Sequence, residues 1–80
     1  MYVNGDSLGG NAIVSITSSG GVALVRTADV HGIVGEPQIV ISGASNASYN
    51  QEWAMTQNDT VSFFITDYLG DSTGGTWALA

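Results

Sequence analysis

Ile13-Val14-Ser15-Ile16-Thr17-Ser18-Ser19-Gly20-Gly21-Val22-Ala23-Leu24-Val25-Arg26-Thr27 decides the fold class of this chain. Two β-branched and aliphatic runs flank Ser18-Ser19-Gly20-Gly21, a hairpin turn in which glycine supplies the positive φ that a tight reversal needs. The first strand is expected over 13–17 and the second over 22–27. Alternation in the second places Ala23, Val25 and Thr27 on one face and Val22, Leu24 and Arg26 on the other.

Outward from this hairpin the same grammar repeats. Residues 28–37 hold His31-Gly32, Gly35 and Pro37 and read as a loop, since proline cannot donate to a central ladder. A third strand is expected over 38–42, a turn over 43–50, and a fourth strand over about 52–57. Asn58-Asp59 reads as a tight turn before a fifth strand over 60–67. A loop over 70–75 precedes a sixth strand over 76–80. No window longer than ten residues carries apolar positions at helical spacing, and eleven glycines are spread along the chain. The expected architecture is all-β: a small six-stranded antiparallel barrel or sandwich over 13–80, preceded by an extended N-terminal arm over 1–12. Its inward set is Val14, Ile16, Ala23, Val25, Ile39, Ile41, Trp53, Met55, Val61, Phe63, Ile65 and Trp77.

Composition restricts the function. A domain of 80 residues buries only about 60% of its unfolded surface, so its own core supplies modest stability. There is no cysteine and one histidine, which removes disulfides and leaves Zn or Cu sites without their usual ligands. Oligomerisation or docking on a larger body is the remaining source of stability. Seven acidic residues face one arginine and no lysine, for a net charge of −6. Phosphate binding needs clustered cations, so nucleic acid is not an expected partner, and an anionic membrane surface would repel the chain. Only 10% of residues are charged, against about 25% in an average soluble domain. No basic region followed by an apolar run opens the chain, and no apolar stretch approaches the ~18 residues of a membrane span. A protein made in the cytoplasm of a host cell is expected.

Candidate chemistry is sparse. His31 could in principle serve a nucleophile together with Asp29, but no nucleophile elbow accompanies it, and an imidazole bonded to the loop backbone at a His-Gly corner is the expected role. Asp59, Asp67 and Asp71 lack calcium-loop spacing and read as solvated turn acids. No catalytic residue, cofactor-binding residue or metal ligand is assigned. Asn46-Ala47-Ser48 and Asn58-Asp59-Thr60 match the glycosylation sequon by chance and are turn formers. Val22, Leu24 and Phe64 fall on the outer face, either as an interface or as core beneath a second sheet. Tyr2 and Val3 of the arm could add an edge strand to a neighbour, and Tyr68 joins these as an interface candidate.

The order Ser15-Ile16-Thr17, Gly20, His31-Gly32-Ile33-Val34-Gly35-Glu36, Val40-Ile41-Ser42-Gly43-Ala44, Ala47-Ser48-Tyr49-Asn50, Ser62-Phe63-Phe64-Ile65 and Thr73-Gly74-Gly75-Thr76 resembles a small β-module of bacteriophage structural and tail-associated proteins. That module is similar in pattern to the β-barrel first catalytic-cysteine half-domain of ubiquitin-activating enzymes. Glu36-Pro37 and Gln51 depart from its usual turn residues. The resemblance implies a virion protein, first of all a capsid decoration (cement) protein. Such a protein lies on the outer surface of the shell, bound across major capsid protein junctions, as a homo-oligomer with a trimer as the expected form. The alternative it implies is a tail, neck or fibre-associated protein, which could bind host-surface carbohydrate by stacking Trp53, Trp77, Tyr49 or Tyr68 on sugars.

Overall fold

The computed structural model describes residues 11–80. Seven strands form one antiparallel sheet: β1 (Ile13–Ser19), β2 (Val22–Thr27), β3 (Gln38–Ser42), β4 (Glu52–Asp59), β5 (Ser62–Ile65), β6 (Ser72–Thr73) and β7 (Thr76–Leu79). Their order across the sheet is β6-β1-β2-β5-β4-β3-β7, and the sheet curls into a half-barrel. The all-β class is therefore correct. The expected six-stranded closed barrel or two-layer sandwich is replaced by a single curled sheet. β2 and β3 have the expected boundaries, while β1 runs on to Ser19 so that Gly20-Gly21 alone makes the turn.

The extra strand comes from the region expected to be a loop. Ser72 and Thr73 pair with Ile16 and Ser15 of β1, and after Gly74-Gly75 the chain pairs with β3 from Ser42↔Thr76 to Ile39↔Leu79. The two outermost strands are thus consecutive in the chain, and the Gly74-Gly75 corner ties one margin of the curl to the other. The Ile13 N–H donates to Gly75 O at 2.9 Å, and Ala12 bridges Thr76. Gly75 has φ +89°, and a Cβ there would lie 2.7 Å from Ser42 O and 2.8 Å from Ala44 N. Only glycine fits this approach of three segments.

Two bulges reset the side-chain phase. Ile13 opposes Thr27 while Ser15 opposes Arg26, so Val14 is the extra residue. Ile13 and Ile16 both face the core, and Val14, expected inside, turns outward with 48% of its surface exposed. In β4 a second shift between Gln57 and Asp59 leaves Asn58 unpaired in the ladder. The turn expected at Asn58-Asp59 accordingly falls at Thr60-Val61, where Asp59 Oδ1 accepts the Val61 N–H at 2.9 Å. This Asx turn takes Val61, also expected inside, out of the strand and leaves it half-buried. β4 divides its pairing: Glu52–Ala54 meet β3, and Met55–Asp59 meet β5. The stagger is what curls the sheet.

The concave side holds Ile13, Ile16, Ala23, Val25, Ile39, Ile41, Trp53, Met55, Phe63, Ile65 and Trp77, joined by Ala44 and Tyr49. Tyr49 belongs to a one-turn 3₁₀ segment, Ala47–Tyr49, inside the expected 43–50 turn. It is fully buried, and its hydroxyl donates to Gly70 O at 2.6 Å while accepting the Leu69 N–H at 2.7 Å. That phenol stitches the two loops that cap one end of the curl. Trp53 Nε1 donates to Tyr49 O at 2.9 Å from below.

Candidate functional site

The loop from Ala28 to Pro37 leaves β2 and returns to β3, and its apolar residues do not alternate as a strand would require. Its shape is set by His31, which bonds backbone groups of the neighbouring β4–β5 hairpin, and by one side chain of that hairpin, Gln57. The His31 backbone N–H donates to Thr60 O at 2.9 Å. Its Nδ1 accepts the Ile33 N–H at 3.0 Å, which leaves the ring proton on Nε2 to donate to Asp59 O at 2.7 Å, with Ser62 O at 3.3 Å. The imidazole also stands edge-on to Phe63 (5.7 Å between centroids) and Trp77 (6.5 Å). Both ring nitrogens are thus engaged by backbone groups, in the corner role expected for the His31-Gly32 pair. On the far side of the loop, Gln57 Nε2 donates to Ile33 O and to Gly35 O, each at 2.8 Å.

Held in this way, the loop and β7 enclose a groove of about 330 Å³ lined by His31, Gly32, Ile33, Val34, Pro37, Trp77 and Leu79. Its lining is almost wholly apolar. Trp77 is buried, and its indole Nε1 is the one buried side-chain polar atom without a hydrogen-bond partner among the described residues. The rim is unusual: Val34 is 91% exposed, Leu79 62%, and Val30, beside the groove in sequence, 63%.

Of the residues singled out from sequence, Leu24 and Phe64 stand directly opposite one another across β2 and β5, with Thr17 and Thr56 completing the row. Val22 lies two residues along on the same face. No second sheet lies among the described residues to cover this convex strip, yet all three side chains are half-buried and none is fully exposed. Tyr68 does not join them. It packs against the core and donates its hydroxyl to Asp71 Oδ1 at 2.6 Å, a bond that raises the phenol above its ordinary value of 10.0. Tyr2 and Val3 lie outside the described residues. Trp53, Trp77 and Tyr49 are buried, and of the three only Trp77 lines the groove.

Asp59 serves a turn, and Asp71 accepts the Tyr68 hydroxyl. The Ser62 hydroxyl and the Val61 N–H both donate to Asp59, and they hold its carboxyl below the ordinary 3.8. Among the described residues, no group of three or more His, Asp and Glu side chains is placed to hold a metal ion. The groove itself was missed from sequence because Ile33, Val34, Pro37 and Leu79 are scattered over a glycine-rich loop and the last strand. The available signal was three aliphatic residues in a loop that needs none for its own core. No protein-family model, no curated protein and no solved structure matches this chain.

Proposed function

We propose that this chain is a non-enzymatic bacteriophage virion protein that works by docking, as a capsid decoration protein bound across junctions of the major capsid protein. The observation that carries the reading is the apolar groove over Trp77 with its exposed rim of Val34 and Leu79. A domain of 80 residues with 10% charged side chains gains most by covering such a surface. The net charge of −6 suits an outer surface that must not collect nucleic acid. The sequence pattern that resembles phage structural modules supports the same reading. Homo-oligomerisation, with a trimer as the preferred form, would use the convex strip of Val22, Leu24 and Phe64 and leave the groove for the shell. Symmetric placement then multiplies weak individual contacts.

Copy number in purified virions tests this directly. Quantitative mass spectrometry against the major capsid protein should find on the order of hundreds of copies, as shell symmetry demands. A count of about a dozen or fewer would replace the decoration reading with a tail or neck part, and absence from the particle would end both.

A further inference from the structure

We infer that in the free chain residues 1–10 fold back over the groove and seat their aliphatic side chains between the loop and β7, as an intramolecular strap. This goes beyond the docking reading, because a partner that uses the groove must first displace the strap.

The first ground is the point from which those residues set out. The Ile13 N–H donates to Gly75 O, Ala12 bridges Thr76, and Ala12 O accepts the Ala28 N–H at 2.9 Å. A ladder continued in this antiparallel register would give Trp77 O to the backbone N–H of residue 11. Asn11 lies outside the strands and fills that place with its side-chain amide, at 2.9 Å. The chain therefore leaves the ladder against Trp77, a residue that lines the groove together with Leu79 and the 31–37 part of the loop. Residues 1–10 begin at the groove's own margin.

Reach and chemistry are the second ground. Ten residues span about 33 Å when extended, more than a groove of about 330 Å³ requires. They carry Tyr2, Val3 and Leu8, with Gly5, Gly9 and Gly10 free to take the backbone angles of a reversal. Leu8, three residues before Asn11, is the side chain assigned to the groove beside Leu79 and Val34, whose exposures of 62% and 91% mark the area to be covered. No Asp, Glu, Lys or Arg lines the groove, so nothing there selects a charged visitor over this segment or repels its Asp6. The third ground is attachment. A covalently joined segment acts at an effective concentration on the order of mM, which a free partner or a second copy has to exceed.

The chain has no cysteine, so Ser7→Cys places a single nitroxide label beside Leu8 in the full-length protein. In isotope-labelled protein the nitroxide should broaden the amide signals of Ile33, Val34 and Leu79 far more than those of Leu24 and Phe64 on the convex face. Adding Val3→Ser and Leu8→Ser to the labelled protein should abolish that selective broadening. Val34→Asp, at a rim site too exposed to matter for folding, should abolish it from the other side of the contact. Mixing nitroxide-bearing chains without isotope and isotope-labelled chains without nitroxide should leave every signal sharp. Broadening in that mixture would assign the segment to a second copy and overturn the inference. So would broadening spread evenly over the surface or centred on Leu24 and Phe64, or selective broadening that survives the two serine substitutions. None of these results alters the copy number per virion, so the docking reading stands or falls separately.

Discussion

Replacing Gly75 with alanine tests whether the corner between β6 and β7 is what holds the curled sheet together. Two costs add at this position. The backbone has φ +89°, in a region where an L-residue costs about 1–2 kcal/mol. The new methyl would also stand 2.7 Å from Ser42 O, 2.8 Å from Ala44 N and 3.0 Å from Ala44 Cα, all of them backbone atoms that cannot rotate aside. To make room, the end of β3 must separate from Thr76, and the 2.9 Å bond from the Ile13 N–H to Gly75 O must stretch. Losing one or two such bonds adds about 1–2 kcal/mol, for a total near 3 kcal/mol. Gly74 next door is the control: its φ is +72°, but nothing lies within 4 Å of a Cβ there, so Gly74→Ala carries the conformational cost alone. Urea and thermal unfolding followed by circular dichroism should therefore separate the two variants by about 1–2 kcal/mol, or ~4–16 °C in Tm for a domain of this size. A Gly75→Ala protein within about 0.5 kcal/mol of Gly74→Ala would refute the claim that steric closure at this corner matters, whatever φ contributes.

Three further outcomes are expected. Tyr49→Phe removes a hydroxyl that both donates to Gly70 O and accepts from Leu69, and should cost about 2 kcal/mol in urea unfolding, with faster amide exchange at Leu69; an unchanged midpoint would mean water replaces the phenol at no cost. Trp53→Phe should be more damaging than Trp77→Phe by about 1 kcal/mol, because only the Trp53 indole has a hydrogen bond to lose; equal losses would show that packing alone decides both. The carboxylate of Asp59 is held below its ordinary 3.8 by the Ser62 hydroxyl and the Val61 N–H, so its stabilisation is complete above 3.8 and disappears as pH falls through the lower folded value. The stability gap between the native chain and Asp59→Ala should accordingly shrink on acidification from neutral pH, and a gap that stays constant across that range would contradict the assigned hydrogen bonds.

Much of the fold is legible in the order of residues because a half-buried strand writes itself in local alternation. Val22–Thr27 and Gln38–Ser42 were bounded correctly by that rule, and Ala23, Val25, Ile39, Ile41, Trp53, Met55, Phe63, Ile65 and Trp77 took the inward face it assigns. Alternation fails where a bulge inserts one residue, and no local signal marks a bulge. Val14 turned outward for that reason, and Asn58 carried the β4–β5 turn two residues on and Val61 out of its strand. Tyr49 was readable as a turn residue but not as core, since its burial depends on the Leu69-Gly70 loop closing over it from 20 residues away.

The residues alone determined the all-β class, a hairpin turning within Ser18-Ser19-Gly20-Gly21, the lack of thiol chemistry and the acidic balance, because composition and period-two patterning act over a few neighbours. Tertiary structure alone decided how the sheet curls and where its surface is left uncovered. Ser72-Thr73 and Thr76–Leu79 become opposite margins of one sheet only through pairing with β1 and β3, dozens of residues distant. The groove arises from that same long-range pairing, which sets β7 beside a loop pinned by His31 and Gln57. The apolar surface worth testing therefore lies on the loop and β7 as well as on the alternating convex face: Val34 and Leu79 stand open to solvent, while Leu24 and Phe64 are half-covered by their own sheet.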